Sequence, residues 1–191
     1  TLSNPMSDTL KLILFALASA GIVYLSRRSL VKPRSHGFYR FFAFESILAL
    51  ILLNLNAWFK SPGAWHQIIS WILLVTALVP LGFGVRSLTA RGKPARQREG
   101  EPQLLGFEKT TALVTSGIYA YIRHPMYSSL LLLAWGVFFK APGWVGALLA
   151  AAATLALVFT ARADEAECIA YFGGAYRDYM KRTKRFVPFV V

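Results

Sequence analysis

Acidic residues are scarce in this chain. Asp and Glu number 9 among 191 residues, against 21 Lys and Arg, for a formal net charge of +12. Charged residues of both signs reach only 16%, whereas a soluble domain carries about 25%, so there are too few to clothe a water-facing shell. With 55% hydrophobic residues and a mean hydropathy of +0.47, a soluble globular fold is disfavoured. A single cysteine, Cys168, excludes a disulfide framework and a cysteine-based zinc site. His36 and His66 have no metal-spaced partners, so no metal is expected. No strand-like run leads into a Gly-x-Gly-x-x-Gly helix start, which removes a Rossmann sheet. Disorder is excluded by abundance: aromatics make up 14%.

What remains is a set of long apolar runs at about residues 10–25, 41–59, 65–85, 126–139 and 144–161. Most approach the ~17–25 residues that cross a bilayer as helix, and tilt or flanking residues extend the shorter first and fourth. The expected fold is all-α and integral to a membrane: five transmembrane helices, then a cytosolic C-terminal helix. Basic residues test this count, because Lys and Arg concentrate in cytoplasmic loops. Arg27, Arg28, Lys32, Arg34 and Arg40 follow the first run, and Arg86, Arg91, Lys93, Arg96, Arg98, Lys109 and Arg123 follow the third. Arg162, Arg177, Lys181, Arg182, Lys184 and Arg185 follow the fifth. Five crossings put these eighteen on one side, with Lys11, Lys60 and Lys140 on the other. The topology is then N-outside and C-inside. A basic surplus partitioned this way indicates membrane lipids as partners and not nucleic acid.

The chain is read as one membrane domain over residues 1–191, with three N-terminal spans in 1–90 and the polar chemistry in 91–191. Residues 10–21 resemble a short signal segment, but they lack a basic start and the apolar run continues to Leu25, so cleavage is not expected. Lys60-Ser61-Pro62-Gly63 and Lys140-Ala141-Pro142-Gly143 are short outer turns. Pro80, with Gly82 and Gly84, loosens the third span. Glu45, Asn54 and Asn56 are polar groups in or near the second, and Glu45 is close enough to Arg40 to snorkel toward headgroups. Tryptophans 58, 65, 71, 135 and 144 lie mostly at span ends, as in an interfacial belt. Alanines 150–153 favour close helix packing, and the terminal Lys181-Arg182-Thr183-Lys184-Arg185 cluster favours anionic headgroups. Cys168 is read as a packing residue.

Two polar stretches lie on the basic side. Residues 113–127 end in Arg123-His124-Pro125-Met126-Tyr127, where Pro125 suits the first position of a helix and His124 its cap. The amides after that cap, with Arg123 beside them, suit an anionic group. The second stretch, Arg162-Ala163-Asp164-Glu165-Ala166-Glu167, gathers three of the nine acids into four positions. Their partner is either the neighbouring arginines or a cationic ligand held against the His124 cap.

With its Ser116-Gly117-Ile118-Tyr119 and its Arg123-His124-Pro125-Met126-Tyr127, this region resembles the isoprenylcysteine carboxyl methyltransferases and their phospholipid methyltransferase relatives. Asp164-Glu165, Phe172-Gly173, Tyr176, Tyr179 and Arg185-Phe186-Val187-Pro188 fall at similar spacings, so the resemblance covers about residues 104–190. The first three spans match in hydropathy alone. The resemblance implies an integral membrane enzyme using S-adenosyl-L-methionine to methylate a lipid-like or small hydrophobic acceptor, a carboxylate, thiol or amine. Leu113, Val114, Tyr119, Arg123, His124, Pro125, Met126, Tyr127, Asp164 and Glu165 would bind the cofactor, and Glu165 and Arg162 would be catalytic. The chain departs from the prenylcysteine branch at Thr111 and Thr160, where that branch carries His and Arg; Arg162 would take over the second role. An amine or hydroxyl acceptor would need a base, for which Glu165 and His124 are candidates. Two further classes are an NADPH-dependent sterol or enone reductase and a catalytically silent scaffold. The expected location is the cytoplasmic membrane of a bacterium or the endoplasmic reticulum of a eukaryote, with the site facing the cytosol.

Overall fold

A computed structural model describes residues 6–92 and 110–188. Among them are six α-helices: α1 (Asp8–Leu30), α2 (His36–Leu53), α3 (Trp65–Arg91), α4 (Pro125–Phe138), α5 (Trp144–Phe172) and α6 (Gly174–Arg182). Four of these, α1, α2, α3 and α5, are long and apolar enough to cross a membrane, and α4 is a shorter apolar helix. The protein is therefore an integral membrane, all-helical molecule. Lys93, Arg96, Arg98 and Lys109 lie outside the described residues.

The bounds of α2 and α5 differ from the hydropathy reading in ways that matter to the site. The second helix starts at His36, because the Ser35 hydroxyl caps it by accepting from the Phe38 amide at 3.2 Å. It stops at Leu53, where the Asn54 amide group donates across to the Val137 carbonyl at 2.8 Å. The fifth helix does not end with its apolar run at Ala161. It continues to Phe172 and breaks at Gly173, whose φ of +60° suits glycine. The three acids of the second polar stretch thus stand on a rigid extension of a membrane helix.

The helices pair α2 against α5, α3 against α4, and α4 against α5, with α1 laid against α2. Ala150, Ala153, Leu157 and Ala161 form a buried stripe on α5 that meets Ala43, Ile47 and Leu50 of α2 and Ala134 and Val137 of α4. Small residues let these backbones approach, which is where membrane helices gain dispersion contacts. At Gly136 a Cβ would come within 2.9 Å of the Leu74 side chain, so α3 and α4 touch there almost backbone to backbone. Polar groups between the helices are satisfied locally. The Ser70 hydroxyl donates to the Gly136 carbonyl at 2.7 Å, and Ser19 donates to Glu45 at 3.0 Å, which ties that acid to α1. At the far end from the acids, the buried Lys140 ammonium donates to Gln67 at 3.1 Å and lies 3.6 Å from the centre of the Trp71 ring.

Candidate functional site

The Arg-His-Pro stretch is held open by its neighbours. Pro125 begins α4 and His124 precedes it as the cap residue, so the first-turn amides of the helix have no intrahelical acceptor. The C-terminal arm lies alongside this stretch. Arg123 and His124 donate their amides to the Lys184 and Arg185 carbonyls at 2.8 and 3.1 Å, and Ser128 donates its hydroxyl to the Phe186 carbonyl at 2.8 Å. The upstream turn, Gly117–Ala120, is fixed by Tyr179, whose hydroxyl donates to the Tyr119 carbonyl at 2.7 Å. Gly117 has φ +68°, and a Cβ there would meet the Ser87 hydroxyl at 3.0 Å. The positive φ is what calls for glycine here.

These elements and the end of α5 enclose a cleft whose empty space, counted out into open solvent, is about 770 Å³. Leu113, Val114, Tyr119, Pro125 and Met126 form an apolar side. His124, Tyr127 and Asp164 form a polar one, in which the Tyr127 hydroxyl donates to Asp164 at 3.0 Å and the imidazole of His124 stacks on the Tyr127 ring. His36, Glu167 and Cys168 also line the cleft, as do Phe172, Tyr176 and Tyr179. Burial pushes the Tyr176 and Tyr179 hydroxyls well above the ordinary tyrosine range, so both stay protonated and act as neutral donors.

Nine of the residues expected at the site therefore line one cleft, but Arg123 is not a free cation there. Its guanidinium donates to Glu165 at 2.9 Å, to the Met180 carbonyl at 3.2 Å, and to the Thr183 carbonyl. Glu165 does not line the cleft. It is buried behind it, and Arg185 holds its carboxylate with two further bonds at 3.1 and 2.6 Å. A carboxylate whose lone pairs face two guanidinium groups is a brace and a poor base. Arg162 is exposed and lies outside the cleft. His36, which in sequence has no metal-spaced partner and no evident role, is buried against Glu167 on the cleft wall. The missed signal lay in α5, where Asp164, Glu167 and Cys168 are spaced three and four apart and so share a face.

His124 sits between two acids, with Nδ1 3.5 Å from Asp164 and Nε2 3.4 Å from Glu165. Nε2 is buried with no partner in hydrogen-bond geometry. Burial disfavours the imidazolium, but Asp164 and Glu165 outweigh it, and the pKa of His124 lies above the ordinary 6.5. A histidine raised on folding contributes stability that is complete below the unfolded value and lost as pH rises through the folded one. The unfolding temperature in detergent is therefore expected to fall as pH is raised from 6 toward 9. In His124→Gln that slope should flatten; an equally steep slope in the variant would place the titration elsewhere.

Comparison with known proteins bears on this same region. Residues 103–174 match the family model described as phospholipid methyltransferase. Over 84 residues the chain is 34% identical to the protein-S-isoprenylcysteine O-methyltransferase of Schizosaccharomyces pombe (strain 972 / ATCC 24843). That stretch is 43% of this chain and 35% of the yeast protein, so the chain spans about a third of the relative's length. The family model spans the motif at residues 113–127, and the two comparisons agree in likening the chain to phospholipid and isoprenylcysteine methyltransferases.

Proposed function

We propose that the protein transfers a methyl group from S-adenosyl-L-methionine to a lipophilic acceptor at the cytosolic face of a membrane. One observation carries this reading: the cap at His124 and the carboxylate of Asp164 lie 3.5 Å apart on the wall of a single cleft. The donor is a zwitterion with a nucleoside, and the cleft's chemistry fits each part. The first-turn amides of α4 suit its carboxylate, Asp164 suits its ammonium, and Leu113, Val114 and Tyr119 offer the purine an apolar wall. Bound there, its sulfonium supplies an electrophilic methyl group. The chain's own contribution is positioning, because in-line displacement gains most from alignment and needs little covalent help. Tyr127 holds the Asp164 carboxylate in place, and Glu165 braces the Arg-His-Pro stretch through Arg123.

In this reading α4 completes five crossings. Its 14 residues rise about 21 Å, less than the ~30 Å hydrocarbon core, so its His124 end lies below the headgroups, where a lipid acceptor arriving sideways meets a donor arriving from water. The reductase reading is weaker, since the extra phosphates of NADPH call for free cations and, among the described residues, the one arginine lining the cleft, Arg123, is engaged. Calorimetry in detergent separates the classes. S-adenosylhomocysteine is expected to bind at micromolar concentration and NADPH not at all; the opposite pattern would sink the proposal, and binding of neither would leave the scaffold reading.

A further inference from the structure

The cleft is lined by a second histidine besides His124, held by a different acid. His36 is the first residue of α2, only 1% exposed, and Glu167 of α5 grips it twice. The Glu167 carboxylate accepts from the His36 backbone amide at 2.9 Å and meets Nδ1 at 2.6 Å. A carboxylate only accepts, so Nδ1 carries the proton, and in the neutral ring Nε2 keeps its lone pair. With Nδ1 taken up, Nε2 is the nitrogen left for a guest in the cleft that His36 lines. An acid fixing one ring nitrogen while the other meets the substrate is the arrangement that makes histidine a general base.

We propose that His36, oriented by Glu167, is the general base that takes a proton from the methyl acceptor. The inference rests on the methyl-transfer reading above and narrows it to an acceptor that enters with a proton, on nitrogen or sulfur. The proton passes from N–H or S–H to Nε2. The electron pair left behind forms the bond to the methyl carbon of the sulfonium donor, the carbon–sulfur bond breaks, and its pair returns to sulfur; the imidazolium then releases the proton to water. A carboxylate acceptor would need no such group, and the cleft suits it poorly. Among the described residues its walls present the acids Asp164 and Glu167, and the one arginine there, Arg123, is already paired. His124 is the weaker candidate for the base, because acids stand within 3.5 Å of both its nitrogens, whereas Glu167 takes up only Nδ1 of His36.

The test uses the full-length protein in detergent, labelled S-adenosylmethionine, a total lipid extract, and dodecanethiol as a small probe. Label should enter the extract or the thiol in an alkali-stable form, as N-methyl and S-methyl groups are and methyl esters are not. His36→Asn keeps the backbone amide and a side-chain donor for Glu167. It should bind S-adenosylhomocysteine within about threefold of the unmodified protein while transfer falls by about 100-fold or more, the range of a lost general base. Imidazole should restore transfer in His36→Gly, which a helix-capping role for His36 would not produce. As a positioning residue, Glu167 should show the same loss in Glu167→Ala and part recovery in Glu167→Asp. Alkali-labile label, transfer that survives in His36→Asn, or S-adenosylhomocysteine binding with no transfer to either probe overturns the base assignment. Failure of S-adenosylhomocysteine to bind at all overturns the methyltransferase reading beneath it.

Discussion

Replacing Glu165 by Gln is expected to cost the fold about 3–5 kcal/mol, the penalty of breaking a buried ion network from one side. Glu165 is 4% exposed, and its two oxygens receive three hydrogen bonds from the guanidinium groups of Arg123 and Arg185. Those bonds join three segments distant in sequence: the extension of α5, the Arg-His-Pro stretch that opens α4, and the C-terminal arm. Glutamine has nearly the same shape but only one strong acceptor, so it leaves the largely buried Arg123 and the half-buried Arg185 facing an amide. For a chain of this size the loss corresponds to roughly 10 °C in unfolding temperature, measurable by a thermal ramp in detergent. Arg185→Gln should cost less, because that side chain is 25% exposed and water can replace part of what it gives. A Glu165→Gln variant as heat-stable as the starting protein would show that the network is ornamental and return Glu165 to consideration as a group that serves the ligand.

Helical geometry explains why the sequence identified the acidic stretch and misassigned its members. Hydropathy located the apolar runs, because lipid accepts only backbone that bonds to itself. Pro125 located the start of α4, since proline at the first helical position is a local signal. Which acid meets the cleft depends on rotation about α5, and neighbouring residues on a helix point about 100° apart. Asp164 and Glu165 therefore cannot share a face, and Arg162, two positions before Asp164, turns away altogether. Glu167 and Cys168 return to the Asp164 face at three and four positions on. The direction of that face is set by α2 packing along the Ala150–Leu157 stripe, a tertiary fact absent from any local window. His36 was hidden for the same reason. Its partner lies 131 residues away, and only the uninterrupted continuation of α5 past Ala161 carries Glu167 to it. The pairing of Arg123 and His124 with the C-terminal arm was likewise unreadable, because Lys184 and Arg185 in sequence are two more basic residues in a basic tail.

The rotation argument leads to a sharper expectation for Asp164 than for any other acid in the chain. Of the two acids in the stretch that line the cleft, Asp164 is the one beside the His124 cap, and Tyr127 donates to one of its oxygens at 3.0 Å. Its carboxylate is thus pre-oriented, and the ordering entropy of gripping a ligand ammonium is already met by the fold. Asp164→Asn keeps an oxygen for the Tyr127 hydroxyl and removes the charge, so the cleft should hold its shape and lose its anionic end. Affinity for S-adenosylhomocysteine is expected to fall by about 10–100-fold, or roughly 1.4–2.8 kcal/mol, read by calorimetry at constant pH and salt. Tyr127→Phe should fall by less, since it loosens the carboxylate without neutralising it. Asp178→Asn, an exposed acid of α6 that pairs with Lys181, removes the same charge from the basic face and should leave affinity unchanged. If Asp164→Asn and Asp178→Asn both bind as tightly as the unaltered protein, the ammonium is held elsewhere and the donor lies in the cleft in another orientation. If both bind equally weakly, the effect is the general field of this end of the molecule, and Asp164 makes no specific contact.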